Sequence, residues 1–502
     1  MPNSKAEMKT KKDEQPVNKV SEYKDRIEKL EELRALGLDP YPAKSGKTHS
    51  TKEVLSDFSK MEKDKSQIIL AGRLRSLRAH GNLTFANLED ESGEMQIAIS
   101  KKEIGSDSYK TFTKFADMGD FVEAGGECFT THKGENSLLV KNWKFLAKAL
   151  RPLPDKWSGF KDEEERFRKR YLDILANEEV KDTVVKRAKF WKATRDFLDK
   201  KGFMEVDTPI LEITTGGADA RPFTTHHNAL NLDVYLRISA GELWQKKLIV
   251  AGFEKIFEIG RVFRNEGMDA EHLQDYSQME FYWAYADYER GMKLVEEMYK
   301  YIAKETFGTL KFKIRGFEID LDKKWEKYDY REIIKKDTGI DILNATEKEI
   351  KAKLDELKVE YDKKGFNITR AIDNLWKYCR KKIAGPGFLV GVPITVSPLA
   401  KRDEKQPELA QRFQVILAGS ELGNGYSELN DPIDQKERFR EQQKLREAGD
   451  EEAQMFDKDF VEALEYGMPP TCGFGFSERL FAFLVDKPMR EAQIFPLMKP
   501  RN

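Results

Sequence analysis

The sequence has few cysteines, no long apolar run and almost no net charge. Its three cysteines, Cys128, Cys379 and Cys472, lie far apart without metal-ligand spacing, so we expect reduced thiols in a cytoplasmic protein rather than a disulfide framework or a zinc site. No stretch approaches the ~18 apolar residues of a membrane helix, and residues 1–20 lack the apolar core of a signal peptide. The net charge of −1 supplies no bulk attraction for nucleic acid, so any RNA contact must depend on local basic patches.

The 502 residues are enough for two or three domains. Apolar residues make up 39% of the chain and charged residues 35%, which is typical of a globular protein with a heavily charged surface. Five short runs of strand type between residues 67 and 148 are separated by glycine and asparagine clusters. This spacing predicts a small closed barrel of the OB type. Helical and strand patterns both follow, so we expect an α+β protein.

Two strands joined by a loop are predicted between Phe257 and Tyr288. Arg264 and Glu266 lie two residues apart in the first strand, so both side chains should point to one face. The loop and the polar face of the second strand add further functional groups: His272, Tyr276, Glu280 and Tyr282. One small sheet face would therefore gather a guanidinium, two carboxylates, an imidazole and two phenols.

The string FRNEG followed by EFYWAYADY resembles motif 2 of the class II aminoacyl-tRNA synthetases, in the form found in lysyl-tRNA synthetases of the bacterial type. ELGNGYSELND, at 421–431, is similar to the same family, and TCGFGFSERL with the final FPLMKP resembles motif 3. A solvated strand face explains any one of these residues adequately. It does not explain three separated motifs, and the resemblance extends over roughly residues 20–500.

The resemblance implies a domain organisation for the chain. An OB-fold anticodon-binding domain is expected at 66–150 and a class II catalytic domain, built on an antiparallel sheet flanked by helices, at 181–502 with a helical insertion at about 305–385. A disordered tail at 1–19, a helical extension at 20–65 beginning at Ser21, and a linker at 151–180 complete the chain. The helix from Val184 and the strand FMEVDTPIL resemble motif 1, which implies a homodimer interface.

The resemblance also implies a binding site for ATP. Arg264 would hold the α-phosphate and the substrate carboxylate, and Arg479 would stack on adenine and reach the γ-phosphate. Tyr276 would cover the other face of adenine, Glu266 would accept from its amine, and His272 would contact the outer phosphates. These interactions position the reactants and spread developing charge.

Magnesium is expected to bridge the phosphate oxygens of ATP. The family has a pair of glutamates seven residues apart as metal ligands, whereas this chain has Gln414 and Glu421 at those positions. An amide oxygen can bind Mg²⁺ but brings no charge. The segment similar to motif 3 is also one residue shorter than the three-glycine form of the family.

The amino-acid pocket implied by the resemblance is acidic. Its predicted lining is Gly216, Glu242, Glu280, Tyr282, Asn424, Tyr426 and Glu428. Three nearby carboxylates repel one another unless a cation offsets them. None of the matched positions is basic, so we expect the substrate to supply the cation, which favours lysine.

The barrel is expected to bind single-stranded RNA. Four residues match the anticodon contacts of the family: Arg78, Phe85, Gln96 and Glu135. Phe85 would stack on a base and Gln96 would hydrogen-bond a base edge. An isolated phenylalanine at such a position is more often a core residue, and the resemblance favours the binding role.

The predicted function is activation of L-lysine with ATP and transfer of lysine to the 3′ end of tRNA(Lys), with Mg²⁺ and as a homodimer. An aspartate- or asparagine-specific enzyme of the same class is one alternative, and the acidic pocket disfavours it. A non-catalytic RNA-binding paralogue is another, and the presence of Arg264, Glu266 and Arg479 disfavours that one. We expect no contact with a membrane.

Overall fold

A computed structural model describes residues 15–154, 162–267, 269–361, 363 and 366–501. The chain divides into two compact units, Met1–Asp162 and Glu163–Asn502. Residues 1–14 of the predicted tail lie outside the described residues, and the first helix begins at Gln15 rather than at Ser21. Residues 163–180, assigned to a linker by the sequence analysis, fall in the second unit.

The first unit contains five helices and five strands among its described residues. The helices are α1 (Gln15–Ala35), α2 (Thr51–Ser56), α3 (Phe58–Asp64), α4 (Lys101–Ile104) and α5 (Ser106–Phe115). The strands are β1 (Ile68–His80), β2 (Leu83–Asp90), β3 (Gly93–Ser100), β4 (Phe121–Thr130) and β5 (Asn136–Ala147).

These five strands close into a barrel in the order β1-β2-β3-β5-β4, which confirms the predicted OB-type barrel. Buried and partly exposed residues alternate along β1 and β2 because successive side chains of a strand point to opposite faces. The inward set forms one apolar core, to which α5 adds Tyr109, Phe112 and Phe115. The sequence analysis did not predict α4 and α5.

The second unit contains the remaining elements of the described chain. Its helices are α6 (Glu163–Arg168), α7 (Arg170–Ala176), α8 (Glu178–Lys200), α9 (Glu242–Val250), α10 (Tyr288–Phe307), α11 (Tyr330–Thr338), α12 (Glu347–Glu356), α13 (Ile368–Arg380), α14 (Pro432–Glu447), α15 (Lys458–Glu465), α16 (Arg479–Leu484) and α17 (Met489–Ala492). Its strands are β6 (Met204–Glu205), β7 (Leu211–Glu212), β8 (Thr224–His227), β9 (Leu232–Leu236), β10 (Lys255–Phe263), β11 (Asp275–Ala284), β12 (Lys311–Ile314), β13 (Phe317–Asp320), β14 (Glu326–Asp329), β15 (Gly387–Val390), β16 (Arg412–Leu417), β17 (Ser420–Ser427) and β18 (Thr471–Ser477).

An eight-stranded sheet in the order β14-β15-β16-β17-β18-β11-β10-β6 forms the centre of this unit, as far as the described residues show. Its inner pairs are antiparallel, and only the pairs at the two edges are parallel. Helices α8 and α10 contribute to the large apolar core against one face of the sheet, together with Met279 and Phe281 of β11. Glu280 and Tyr282 alternate with these residues, and therefore lie on the opposite face.

The motif 2 region differs from the sequence prediction at its ends. β10 ends at Phe263, so Arg264 and Glu266 follow the strand instead of lying within it. Tyr276, expected in the loop, lies within β11, and Tyr285 lies beyond that strand with φ of 59° and is exposed. The predicted helical insertion also contains the β12–β13 hairpin.

The helix that resembles motif 1 packs within its own unit. Phe190, Trp191 and Phe197 of α8 are buried in the main core. A set of large apolar side chains just after α8 is instead exposed: Met204, Ile210, Leu211 and Ile213. No helix within the described ranges is long and apolar enough to cross a membrane.

Candidate active site

Two rows of residues cross three neighbouring strands on the polar face of the sheet. The rows are Glu280–Gly475–Asn424 and Tyr282–Gly473–Tyr426, on β11, β18 and β17 respectively. A Cβ atom at Gly475 would lie 2.8 Å from Glu280 Cγ, and one at Gly473 would lie 2.7 Å from a ring carbon of Tyr282. The two glycines of β18, the middle strand, therefore leave the space that the Glu280 and Tyr282 side chains occupy.

Glu280 is buried among uncharged hydrogen-bond donors. The Ala240 backbone N–H and the Gln278 side-chain amide each donate to Oε1 at 2.8 Å, and the Tyr282 hydroxyl donates to Oε2 at 3.1 Å. Burial raises the pKa of Glu280 to about 8, the nearby Glu242 carboxylate adds to the rise, and the Ala240 N–H opposes it. These three donors fix the position of the carboxyl group, and none of them is a cation.

A buried lysine connects the other two pocket carboxylates. Glu242 is the first residue of α9, and Lys246 lies one turn later on the same helix. Lys246 Nζ is 2.7 Å from Glu242 Oε1 and 2.5 Å from Glu428 Oε2, and the Tyr426 hydroxyl also donates to Glu242. The inference that the substrate alone supplies positive charge to this pocket is therefore wrong, because the helix places an ammonium inside it.

The electrostatics of these groups follow from burial and charge. Burial raises the pKa of Glu428 to about 8, and the Lys246 ammonium opposes that rise. Burial lowers the pKa of Lys246, but its two carboxylate neighbours outweigh burial and leave the pKa above its ordinary value. Burial also raises the pKa of Tyr282 and of Tyr426 well above 10. Three carboxyl groups, one ammonium and two neutral phenols thus form an enclosed site suited to a positively charged ligand.

Two predicted pocket residues have further contacts. Arg412 donates through Nε to Asn424 Oδ1 at 2.8 Å and through Nη1 to the Val396 carbonyl at 2.8 Å, which fixes the Asn424 amide. Gly216 packs on Leu243, since a Cβ there would lie 2.6 Å from Leu243 Cδ1. Its neighbour Gly217 lies closer to the pocket, where a Cβ would be 2.9 Å from Glu242 Oε2.

A second group of charged residues surrounds the Tyr276 phenol. The Arg264 side chain donates through Nε to the Ile238 carbonyl at 3.3 Å, and its guanidinium carbon is 5.7 Å from the Tyr276 ring centroid. Burial is the largest influence on the pKa of Tyr276 and raises it. The charges of Arg264, Glu266, Arg479 and Glu280 also influence this pKa, in decreasing order of size. The structure therefore brings the predicted phosphate-binding arginines near the row that contains Glu280.

Arg479 is the first residue of α16. Its Nη2 is 2.9 Å from Glu271 Oε2, and Glu271 also pairs with Arg315. Burial lowers the pKa of Arg479, and the Glu271 carboxylate opposes this effect. A carboxylate of the loop between β10 and β11 thus holds the guanidinium that was predicted to bind ATP.

His272 lies on the same loop and is half exposed. Its Nδ1 is 2.8 Å from Asp269 Oδ2, so the ring is oriented by a neighbouring carboxylate. The expected contact of His272 with phosphate stays a prediction, since the contact seen here is with Asp269.

The predicted metal pair lies side by side, among hydrogen-bond donors. Gln414 Nε2 donates to Glu421 Oε2 at 3.3 Å, and the Trp376 indole N–H donates to Oε1 at 2.5 Å. Arg380 Nε is 3.8 Å from the same Oε1. Within the described ranges no group of three or more His, Cys, Asp or Glu side chains could hold a metal ion. These neighbours do not fit a metal ion held by the protein alone, because the carboxylate oxygens already accept from nitrogen donors.

The four predicted anticodon contacts lie close together on the outside of the barrel. Arg78 pairs with Phe85 across β1 and β2, and Phe85 points away from the core between buried Thr84 and Ala86. Arg78 Nη2 donates to Gln96 Oε1 at 3.2 Å, while Gln96 Nε2 donates to the Ser137 hydroxyl at 2.8 Å. Ser137 Oγ in turn donates to the backbone carbonyl of exposed Glu135 at 3.2 Å.

Comparison with known proteins gives a consistent result for both units. Residues 162–499 match the model of tRNA synthetases class II (D, K and N), and residues 68–146 match the OB-fold nucleic acid binding domain. The first match covers more than half of the chain. This chain belongs to the class II tRNA synthetases of the D, K and N group.

Relatives of this class II synthetase span nearly the same length. A lysine–tRNA ligase of Thermosipho africanus is 44% identical over 96% of this chain and 97% of the relative. Lysine–tRNA ligases of Thermotoga maritima, 43% identical over 96% and 97% of the two chains, and of Carboxydothermus hydrogenoformans, 43% identical over 95% and 98%, are similar in the same way.

Sequence reasoning missed several residues of this class II site. The spacing of the sequence could have indicated Lys246. It lies four residues after Glu242, so the two side chains share one face of any helix that begins at Glu242. Glu271, Trp376 and Arg380 had no comparable signal. They approach Arg479 and Glu421 from other elements, and only the folded chain brings them together.

Proposed function

We propose that this synthetase activates L-lysine with ATP and transfers the lysyl group to the 3′ end of tRNA(Lys). The observation that carries the proposal is the enclosed pocket in which Glu242, Glu280 and Glu428 outnumber the single ammonium of Lys246. The names of the similar ligases support the same substrate.

Amino-acid activation requires the substrate carboxylate to attack the α-phosphorus of ATP while pyrophosphate leaves. The enzyme needs no nucleophile of its own, but it must hold both reactants in line and stabilise the charge of the transition state. Arg264 suits this role, because its Nε bond to Ile238 fixes the plane of the guanidinium near Tyr276. Arg479 would bind the outer phosphates and adenine, with Glu266, His272 and Tyr276 as further ATP contacts.

The acidic pocket would bind the two ammonium groups of lysine. Glu280 is held by three neutral donors, so its negative charge would be offset by the ligand. The Tyr282 and Tyr426 hydroxyls orient carboxylates of the pocket, and Asn424, held by Arg412, would contribute a polar group to the same row. We propose that Gly216 approaches the ligand through its backbone, as the resemblance implied.

Magnesium would enter this site with the phosphates of ATP. Because Glu421 already accepts from Trp376 and Gln414, phosphate oxygens would have to supply most of the ligands of the ion. Bound there, Mg²⁺ would neutralise charge on the phosphates. The contribution of the chain is to orient the triphosphate through its arginines.

The barrel would recognise the anticodon of tRNA(Lys). Phe85 offers a partly exposed ring for stacking, and Arg78 and Gln96 offer hydrogen-bonding groups beside it. Each stacked base contributes about 1–3 kcal/mol to single-strand binding.

A symmetric homodimer would cover the exposed apolar segment after α8. Met204, Ile210, Leu211 and Ile213 are large apolar side chains at the surface of one chain, and neighbouring exposed apolar residues mark interaction sites. Sedimentation at micromolar concentration tests this: a dimer is expected, and Ile213→Asp should shift it to monomer. A fully active wild-type monomer would contradict the proposal.

ATP–pyrophosphate exchange tests the amino-acid specificity. Lysine alone among the standard amino acids should support exchange, since a site built around buried polar groups rejects ligands that leave them unpaired by on the order of 10⁴-fold. Exchange with aspartate or asparagine at a comparable rate would favour the other specificities of this group. No exchange with any amino acid would favour an RNA-binding protein without catalytic activity.

A further inference from the structure

Lys246 is a fully enclosed cation that the proposed chemistry does not use. Its side chain is 1% exposed, as is that of Glu428, and both contacts of Nζ are carboxylate oxygens of the pocket. The ammonium lies 5.4 Å from the ring centroid of Tyr426 and 5.8 Å from those of Tyr282 and Phe460. Three aromatic rings therefore separate it from water.

Lys246 differs from an ordinary buried ion pair in its partners. A lysine that served stability alone would need one carboxylate, whereas this ammonium lies between two that come from different elements, α9 and the end of β17. Two carboxylates with no cation between them would repel each other in a site of low polarity. The ammonium thus contacts Glu242 and Glu428 together and offsets the repulsion between them.

The charges of the pocket also suggest a role. The three carboxylates carry three negative charges when ionised, and Lys246 offsets one of them. Two negative charges remain, which equals the number of ammonium groups on one lysine molecule. An amino acid with a neutral side chain would leave one of these charges buried and unpaired, which disfavours its binding.

We infer that Lys246 is a positioning and specificity-determining residue of the amino-acid pocket, whose ammonium holds the Glu242 and Glu428 carboxyl groups in place for a doubly cationic substrate. The inference depends on the proposed function, because it assumes that lysine occupies this pocket.

The groups that face Lys246 come from each element packed against it. They are Glu242 on α9, Tyr282 on β11, Tyr426 on β17, Glu428 after β17, and the uncharged Phe460 on α15. Both tyrosines keep their protons in the neutral range, since burial raises their pKa values well above 10. Glu428 is therefore the carboxyl group whose pKa the Lys246 ammonium lowers, against the effect of burial.

Lys246→Met removes the charge and keeps a side chain of similar length. Without the ammonium, the pKa of Glu428 should rise further, and lysine must then displace the proton of this carboxyl group on binding. At pH 7 we expect the KM for lysine in pyrophosphate exchange to rise about tenfold or more, since a shift of one pKa unit corresponds to a factor of 10. The difference from wild type should narrow as the pH rises, while kcat at saturating lysine should change much less.

Lys247→Met is the matched control. Lys247 follows directly on α9, but its ammonium lies 4.5 Å from the Trp244 ring centroid rather than between carboxylates. The same loss of charge there should leave the KM for lysine and its pH dependence unchanged.

The double variant Lys246→Met, Glu428→Gln keeps the test decisive if Lys246→Met alone does not fold. Removing both members of the pair should restore folding, as seen by circular dichroism and thermal denaturation, if charge balance is what Lys246 provides. Failure of both variants to fold would show that Lys246 is needed for packing, and would overturn the inference.

Two results with a folded Lys246→Met protein would also overturn it. A KM and pH profile equal to those of wild type would show that the ammonium does not control the carboxylates. A lower KM for lysine would show that Lys246 competes with the substrate for its site. Absence of lysine-dependent exchange by the wild-type enzyme would instead contradict the proposed function itself, so the two failures can be distinguished.

Discussion

Gly473 and Glu428 lie so close that a Cβ atom on the glycine would be 2.1 Å from Glu428 Oε1. This contact explains why the middle strand of the site has glycine at that position, since any side chain would occupy the place of the carboxylate. We expect Gly473→Ala to displace Glu428 and to raise the KM for lysine by about 5- to 150-fold, because overpacking of this kind costs about 1–3 kcal/mol.

Gly46→Ala is a suitable control for that variant, because a Cβ there meets its nearest neighbours at an ordinary 3.5 Å. Pyrophosphate exchange and thermal denaturation of both variants make the comparison. An unchanged KM for lysine in Gly473→Ala would remove Glu428 from the proposed site.

Lysine binding should release protons near neutral pH. Burial raises the pKa values of Glu280 and Glu428 to about 8, so both carboxyl groups carry protons at pH 7 for much of the time. A ligand ammonium favours the ionised forms, and the affinity for lysine should therefore increase as pH rises toward 8. Titration calorimetry at pH 7 in two buffers of different ionisation enthalpy measures the protons released, and Glu280→Gln should release fewer.

The same pKa values predict how stability depends on pH. Folding raises the pKa values of Glu280 and Glu428 from 4.5 to about 8. Protonation of these two groups therefore favours the folded state. Their stabilising contribution is complete below pH 4.5 and is lost as pH rises through 8. Between about pH 6 and about pH 9, the wild type without lysine should therefore lose more stability than Glu280→Gln, as measured by chemical denaturation. Equal slopes for the two proteins would contradict the ionisation assigned to Glu280.

Phe85→Ala tests the binding surface of the barrel. Loss of one stacked base should raise the KM for tRNA by about 5- to 150-fold, which corresponds to about 1–3 kcal/mol, and should leave pyrophosphate exchange unchanged. Phe121→Ala is the matched control, because Phe121 is also partly buried but lies beneath Arg73 at a distance from the Arg78–Phe85 pair. An unchanged KM for tRNA in folded Phe85→Ala would remove Phe85 from the proposed interface.

The sequence was sufficient for the parts of the fold that depend on local pattern. Strand-type runs separated by glycine and asparagine clusters located all five strands of the barrel, and the alternation around Glu280 and Tyr282 assigned the correct faces of β11. The residues following a strand were less predictable: Arg264 keeps a ladder-like bond to Gln274 at 2.8 Å although β10 has ended. Helices α4 and α5 were missed, although Tyr109, Phe112 and Phe115 recur every three residues along α5 and form its buried face.

The pairwise chemistry of the site could not be predicted in the same way. That Glu280 and Asn424 share Gly475 depends on the register of three strands that are distant in sequence. That Glu271 pairs with Arg479, and Trp376 with Glu421, depends on side chains that meet only after folding. The resemblance to a family could locate the matched positions, but it gave no account of the residues that hold them.

Glu271 should compete with ATP for Arg479. The pair is partly exposed, at 19% for Arg479 and 23% for Glu271, so its contribution is reduced by solvent screening to about 0.5–1 kcal/mol. Glu271→Gln should therefore lower the KM for ATP about two- to fivefold while the KM for lysine stays the same. A higher KM for ATP would indicate that Glu271 orients Arg479 for binding instead of competing for it.

The Gln414–Glu421 pair yields the last prediction. Glu421 accepts from the Trp376 indole and the Gln414 amide, and Arg380 lies 3.8 Å away. Because these donors already occupy the carboxylate, the wild-type enzyme without ATP should bind Mn²⁺ weakly. Electron paramagnetic resonance measures this binding. Gln414→Glu replaces the amide donor with a second carboxylate beside Glu421. The two carboxylates repel each other, and a divalent cation bound beside both would offset that repulsion.

We expect that variant to bind Mn²⁺ without ATP and to need less Mg²⁺ for half-maximal exchange. Glu421→Gln, which removes the carboxylate, should need more Mg²⁺ and turn over more slowly. If neither variant changes the Mg²⁺ requirement and Gln414→Glu binds no Mn²⁺, this part of the sheet has no role in holding the ion, and the phosphates of ATP alone position it.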